Sequence, residues 1–336
     1  MASFGTSARI RSTPDIIETR RGKTTPRIIA IGDLHGDREM FWAIMMASGC
    51  VKMKKSRGHT RKPRWIGKDT IIVCLGDTTD SKRPDVKIDP KDEWNEKPYE
   101  RQLQYDILDL DQLAKRDGGR VFSILGNHDI FAGNSETYCK KADTLNYGPR
   151  GAASRRAAYN PGGEMASIFA ETRNVLQIVG PCLFVHGSLV PEFMMLFPGS
   201  RFPRDVMTEV NSSMKNYLLG KTKKRLPAWF EQSQRYDINP LECRRYGFGD
   251  VDTKTVKNFL KTFPGDVRFM FLGHTTHSQI TRFGPIICTD VALSRAFGPK
   301  TSKICAEWCE IRENTVRRCT FDVNGWVNKK DLKTRR

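Results

Sequence analysis

The sequence predicts an α/β protein of alternating strands and helices, and three observations predict it. Six short apolar runs have the composition of buried strands: RIIAIG, TIIVCLGD, RVFSILGN, PCLFVHG, VRFMFLGH and PIICTD. Helix-like stretches stand between several of them, which is the pattern of layered α/β folds. Five segments at strand ends carry the same residue types: GDLHG (32–36), GDTTD (76–80), GNHD (126–129), HG (186–187) and GHT (273–275). In α/β sheets, ligand-binding residues gather just beyond the carboxyl ends of strands. One such ending reads as a turn; five converging on one sheet edge read as a site.

Taken in order, residues 1–26 form a basic, Arg/Ser/Thr-rich arm without the apolar segment of a secretory signal. Asp15 and Glu18 weigh against a transit peptide, so the arm is expected to be disordered. Ile28 to Ile31 is the first strand. It ends in Gly-Asp-Leu-His-Gly, where Gly32 and Gly36 fit a tight turn and Asp33 and His35 share a face in extended chain. DREMFWAIMMAS follows as a helix with Asp37 as its N-cap. Residues 51–68 are read as a basic loop interrupting the first crossover, and residues 82–97, rich in Pro, Asp and Lys, as a surface loop beside the site. YERQLQYDILDLDQLAKR places Leu103, Ile107, Leu110 and Leu113 near helical spacing. Residues 192–240 are a mostly helical insert, and DTKTVKNFLKTF is a short amphipathic helix. The expected organisation is one domain over residues 27–325 and a basic tail over 326–336, with no internal repeat.

Bulk properties narrow the function classes. The chain is 38% hydrophobic, and its mean hydropathy of −0.51 is that of a soluble globular protein. No apolar run is long enough to span a bilayer. Nine cysteines, an odd number with no CxxC, argue against a disulfide framework or a zinc ribbon. Cys74, Cys182 and Cys288 sit inside apolar runs as buried thiols, and the expected location is the cytoplasm or another reducing intracellular compartment. The net charge of +18 is concentrated in KMKKSRGHTRKPR, GKTKKR and the terminal NKKDLKTRR. Such charge is either a solvated surface or a face for an acidic partner such as nucleic acid, phosphoprotein or a membrane surface. No recognisable nucleic-acid-binding motif accompanies it.

The strand-end residues supply six candidate ligands: Asp33, His35, Asp77, Asn127, His186 and His274. Two carboxylates, three imidazoles and an amide oxygen over-serve one divalent ion and suit two, if one carboxylate bridges them. Two metals about 3.5–4 Å apart can clamp a phosphate ester, generate hydroxide near neutral pH and stabilise in-line displacement. Mixed nitrogen and oxygen ligands without thiolate suit Mn, Fe, Zn or Co better than Mg or Ca. His128, next to Asn127, points elsewhere, and Asp80 follows Asp77 by three residues. A His–Asp pair of this kind can hold a proton for a leaving alkoxide, the alternative for His128 being a structural histidine.

In this order the segments GDLHG, GDTTD, GNHD, FVHG and LGHT resemble the PPP-type metallophosphatases, and more finely their bacterial-like branch, the Shewanella-like protein phosphatases. FSILGNHD, the stretch from Arg155 to Pro191, NPLECRRYG and ICTDVALSRAFG resemble segments of that branch, so the likeness covers residues 26–298. The resemblance implies a calcineurin-like fold, a central β-sandwich flanked by helices, with two metals at the strand ends. Manganese is the metal expected to support activity in vitro, with iron and zinc as alternatives. Asp33 and His35 would bind the first ion, Asp77 would bridge, and Asn127, His186 and His274 would complete the second. His128 would be the general acid oriented by Asp80. Arg244 falls on the family's phosphate-binding arginine, with Arg245 as the second choice. The chain departs from the family's GDxxDRG: it reads GDTTDSKRP, with Ser81 where a phosphate-clamping arginine is expected. Lys82 and Arg83 are the candidate replacements, although a lysine does not reproduce a bidentate fork. Asp129 and Ser188 are milder departures, at positions where the family has glutamate and glycine.

Three functions compete. The first is a metal-dependent phosphomonoesterase acting on phosphoproteins, with Ser/Thr substrates as the family default and phosphotyrosine favoured by some members. The second is a dinucleoside polyphosphate or nucleic-acid-end phosphohydrolase, for which the basic charge speaks. The third is a catalytically impaired binding module, for which only Ser81 speaks.

Overall fold

All residues of Ile28–Ile31, Ile71–Cys74 and Phe269–Leu272 are buried, because these strands are covered on both faces. That is why they read as continuous apolar runs without alternation. The structure, a computed structural model, describes residues 12–18, 26–55, 61–87, 89, 91–97, 99–200, 202–223, 225–298 and 303–334. In chain order its strands are Ile16–Ile17 (β1), Ile28–Ile31 (β2), Val51–Lys55 (β3), Arg61–Trp65 (β4), Ile71–Cys74 (β5), Arg120–Ser123 (β6), Gln177–Val179 (β7), Cys182–Phe184 (β8), Phe269–Leu272 (β9), Thr281–Phe283 (β10), Ile286–Cys288 (β11), Ile304–Arg312 (β12), Thr315–Asp322 (β13) and Val327–Asp331 (β14). The α-helices are Arg38–Ala47 (α1), Tyr99–Lys115 (α2), Asn127–Phe131 (α3), Lys141–Leu145 (α4), Ala152–Tyr159 (α5), Glu164–Thr172 (α6), Pro203–Leu218 (α7), Ala228–Arg235 (α8) and Thr253–Leu260 (α9).

Two six-stranded sheets, ordered β1-β7-β8-β9-β11-β10 and β14-β13-β12-β2-β5-β6, face each other. Between them lie Ile28, Ala30, Val73 and Phe122 from one sheet and Phe184, Phe271 and Ile287 from the other. The outer face of the second sheet, with Ile29, Ile31 and Ile72, packs on Phe41 and Ile44 of α1 and Leu103 and Ile107 of α2. The outer face of the first sheet packs on the helices of the region 152–260. The α/β expectation therefore takes the form of a β-sandwich between helical layers. Strands β2, β5 and β6 run parallel, as do β8, β9 and β11, so their carboxyl ends open on a common edge.

Local features follow the sequence closely in places. The Asp37 carboxylate accepts from Met40 N–H and caps α1. Helix α2 buries Leu103, Ile107 and Leu110, but Ala114 rather than Leu113 continues its inward face. The insert over 192–240 is mostly helical, through α7 and α8. Other expectations are corrected. Residues 51–68 are not simply a loop: β3 and β4 form an antiparallel hairpin in which Val51 and Trp65 are buried. The basic residues around them hide that alternation. Part of the amino-terminal arm is structured too, since β1 pairs in parallel with β7 and Thr13 is buried. The rest of the arm, 1–11 and 19–25, lies outside the described residues. In the basic tail, β14 adds an edge strand to β13. No disulfide forms among the described residues, and eight of the nine cysteines are buried.

Candidate metal centre

Each parallel strand delivers side chains to the common edge. Asp33 and His35 follow β2, Asp77 and Asp80 follow β5, Asn127 and His128 open α3 after β6, His186 follows β8 and His274 follows β9. These residues converge. Ligand atoms of Asp33, His35 and Asp77 lie within 4.8 Å of one another, and so do those of Asp77, His186 and His274. Asp77 belongs to both groups: its Oδ2 is 3.8 Å from His35 Nε2 and 3.2 Å from His186 Nε2. Asn127 Oδ1, 3.1 Å from His186 Nε2, adds an oxygen to the second group. Asp33, His35, Asp77 and His186 are buried, while Asn127, His128 and His274 reach partial exposure at the mouth.

The backbone is bent to make this possible. His35, Asp77, Asp80 and His274 all have positive φ, between 40° and 61°, a region that non-glycine residues seldom adopt. Such conformations cluster where surrounding structure holds a site in place. Glycine allows the close approach. A Cβ on Gly126 would stand 2.1 Å from Asp77 Oδ1, and one on Gly273 2.4 Å from Asp33 Oδ1.

All three imidazoles are oriented by main-chain oxygens. His35 Nδ1 lies 3.1 Å from Thr79 O, His186 Nδ1 2.6 Å from Leu75 O, and His274 Nε2 3.0 Å from Glu242 O. A carbonyl accepts only, so in each ring the nitrogen bonded to it carries the hydrogen and the other is free to ligate. This is the usual support of metal-binding histidines. The carboxylates are likewise held: Asp77 Oδ1 accepts from His128 N–H at 2.9 Å, and Asp33 Oδ2 from His274 N–H at 3.1 Å.

The electrostatics fit cations. Burial and the neighbouring Asp290 carboxylate push Asp33 well above the usual carboxylate range. Burial disfavours the charge on His186, but Asp77 and Asp33 outweigh it and push the imidazole up to about 10. Burial and the Arg83 guanidinium hold His35 well below the ordinary histidine value. Two carboxylates packed against three imidazoles, with no thiolate, form a donor set suited to divalent ions of the Mn, Fe or Zn kind. The residues present therefore fit the metal centre that the fold family implies.

Beside the ligands, His128 Nδ1 lies 2.7 Å from Asp80 Oδ2. Burial lowers the His128 pKa, but Asp77 and Asp80 raise it further, for a net rise above the ordinary value. Asp80 Oδ1 accepts from Ser135 Oγ at 2.8 Å and Arg155 Nη2 at 2.7 Å. Arg155 also grips both Glu100 oxygens at 2.9 Å, and Glu100 Oε2 accepts from Asp80 N–H. Sequence reading did not single out Arg155, Glu100 or Ser135, and no local spacing marks them. Asp290 was within reach, because PIICTD ends in aspartate as the other strand ends do.

The four candidate phosphate-binding cations separate. Arg83 Nη1 and Nη2 each lie 3.0 Å from a histidine nitrogen, His128 Nε2 and His35 Nε2, with the guanidinium 4.6 Å over the Phe297 ring. Arg244 donates to the His274 carbonyl on the opposite rim. Arg245 pairs with Glu192 at 2.7 Å on the surface, and Lys82 is exposed. Ser81 is buried and donates to Asp143, turned away from the ligands.

The family model of the calcineurin-like phosphoesterases matches residues 26–277. The chain is 25% identical to Shewanella-like protein phosphatase 2 of Arabidopsis thaliana over 341 aligned positions, which cover 88% of this chain and 76% of the plant protein. It is 23% identical to an uncharacterized protein of Schizosaccharomyces pombe, covering 80% of this chain and 74% of the yeast protein. Among solved structures, the cold-active protein-tyrosine phosphatase of a psychrophilic Shewanella species superposes with a TM-score of 0.66 at 16% identity, over 97% of this chain and 85% of that one. That likeness speaks to the fold.

Proposed function

Because the chain belongs to the calcineurin-like phosphoesterase family, we propose that it is a phosphoprotein phosphatase working with two divalent metal ions. The observation that carries the reading is the shared position of Asp77, with one carboxylate oxygen between His35 and His186 and a ligand group on either side. Asp33, His35 and Asp77 would hold one ion; Asp77, Asn127, His186 and His274 the other. Ions held there supply Lewis acidity toward a phosphoryl oxygen and a water acidic enough to ionise near neutral pH.

The chain's own residues do the rest. Arg83 and Arg244, on opposite rims, bind phosphoryl oxygens; Arg83 then exchanges its contacts with the two histidines for contacts with the ester. His128 gives a proton from Nε2 to the leaving oxygen, while Asp80 holds Nδ1 and favours the charged ring. Tyr138 and Phe297 stand edge-on to His128 and His35, with ring centres 5.1 and 5.3 Å apart. These half-buried rings flank the mouth and support an aromatic leaving group, hence phosphotyrosine over phosphoserine or phosphothreonine. The activity named for the Shewanella structure agrees with that preference.

The test is hydrolysis of p-nitrophenyl phosphate with added Mn²⁺, with metal content measured alongside, for the protein and Asp77→Asn. About two metals per chain in the protein, and loss of both metal and activity in the variant, are expected. A metal-free protein inactive even with Mn²⁺ would overturn the reading in favour of a binding module. Phosphotyrosine, phosphoserine and phosphothreonine peptides, dinucleoside polyphosphates and end-phosphorylated DNA then rank the substrate classes. No helix among the described residues is long and apolar enough to cross a membrane.

A further inference from the structure

The β3–β4 hairpin carries a charge arrangement that the metal centre does not use. Its register sets Lys52 opposite Arg64 and Lys54 opposite Lys62. All four side chains are exposed on one face, while Val51 and Trp65 on the other face are buried. None of the four has a carboxylate partner among the described residues. Like charges directly opposite on a β-ladder are destabilising. Two such pairs side by side therefore carry a standing cost that an external polyanion removes.

We infer that this face binds a nucleic-acid duplex. Lys52 and Lys54 are two residues apart, about 7 Å along the strand, so the two strands together present two cations per 7 Å, about one per 3.5 Å. Each strand of duplex DNA carries about one phosphate per 3.4 Å of axis, the matching density. An extended acidic peptide presents one side chain per about 7 Å on a face, half the density of the cations. A bilayer-seeking face would set apolar or aromatic residues among the cations, and these four positions hold none. A two-stranded ribbon also has the width that a DNA major groove admits.

The location keeps this face apart from the metal centre. Arg27, just before β2, donates to Ser48 O, just after α1, at 2.9 Å. The hairpin therefore springs from the amino-terminal edge of the sheet. Asp33 lies six residues beyond Arg27, about 20 Å of extended chain away. A duplex seated on the hairpin leaves the mouth open and brings substrates bound to nucleic acid within reach.

The test is fluorescence anisotropy of a labelled 20-base-pair duplex with the full chain, between 50 and 200 mM salt. Four phosphate contacts contribute a slope of about 3.6 in log affinity against log salt, or roughly 150-fold over that range. Lys52→Gln/Lys54→Gln/Lys62→Gln/Arg64→Gln is expected to lose about that much slope. The control Lys254→Gln/Lys257→Gln/Lys261→Gln, on exposed positions of and just after α9, is expected to lose less than about one unit. p-Nitrophenyl phosphate hydrolysis should be unchanged in both variants, and the hairpin variant should unfold at the same temperature or slightly above it, since its opposed like charges are gone. Absence of duplex binding at 50 mM salt, or equal loss in the two variants, would overturn the inference. Polyglutamate competing as well as duplex at equal charge would overturn it in favour of an acidic protein partner.

Discussion

Replacing Arg155 by Met should uncouple the proton-handling pair from the rest of the site. The Arg155 side chain is 1% exposed, and its guanidinium spends its donors on Glu100 Oε1 and Oε2 at 2.9 Å, Asp80 Oδ1 at 2.7 Å and the Ala132 carbonyl. Met fills similar volume and supplies no donor. Asp80 keeps His128 and Ser135, and Glu100 keeps Asp80 N–H and Tyr147. Two carboxylates nevertheless remain buried without their cation. Breaking a buried pair from one side costs about 3–5 kcal/mol, and two stranded charges put this case at about 4 kcal/mol. At roughly 2 °C per kcal/mol for a chain of this size, the melting temperature falls by about 8 °C. Adding Glu100→Gln neutralises one stranded group and should return about half of the loss. Catalysis supplies an independent reading. With Asp80 less firmly held, hydrolysis of an alkyl phosphate should fall by about tenfold or more, a part of the roughly 10²–10⁴-fold that a general acid contributes. p-Nitrophenyl phosphate, whose leaving group needs no proton, should change less. A stability loss under about 1 kcal/mol, or equal losses on the two substrates, would refute the reasoning.

Three further outcomes are expected. His128→Ala should cost about 10²-fold or more on phosphoserine peptides and far less on p-nitrophenyl phosphate, with steady-state rates as the measurement; equal losses would remove the general-acid role. Arg83→Ala should raise KM and lower kcat/KM, and Arg83→Lys should restore only part, since an ammonium does not reproduce the fork; full activity in the alanine variant would place the clamp elsewhere. Burial and the Glu100 carboxylate push Asp143 from 3.8 to about 6. The folded chain then binds the proton that the unfolded chain releases, so stability falls as pH rises through that window, by about 2–3 kcal/mol, and is highest below it. Denaturant unfolding between pH 4 and pH 7 should show that slope in the protein and lose most of it in Asp143→Asn.

The sandwich strands were legible because burial on both faces leaves a continuous apolar run, which IIAI, IIVC and FMFL each display. The candidate ligands were legible for a related reason: an Asp or His placed just past such a run has few structural excuses. Strand β14 was not legible, because VNKKD is exposed throughout and is a strand only through its pairing with β13. The hairpin was masked by its charge and by Pro63, although Val51 and Trp65 mark its inward side. The buried ion network was invisible because Arg155 meets Asp80 across 75 residues of chain. Which cation after Ser81 reaches the centre depended on backbone direction, and that selects Arg83 over Lys82. Between Arg244 and Arg245, one turns to the His274 carbonyl and its neighbour to Glu192.

The candidate ligands come from both sheets: Asp33, His35, Asp77 and Asn127 from one, His186 and His274 from the other. An ion held by Asp77, His186 and His274 would therefore be a rivet through the seam of the sandwich. Anything that binds the folded chain and not the unfolded one shifts the equilibrium by mass action, about 2.7 kcal/mol at a hundredfold excess over Kd. The halves of the molecule would then be held together partly by the cation supply of their surroundings. Withdrawing that supply would slacken the join between the sheets at the edge where substrate enters, and the opposite edge, closed by its own apolar packing, would feel it last.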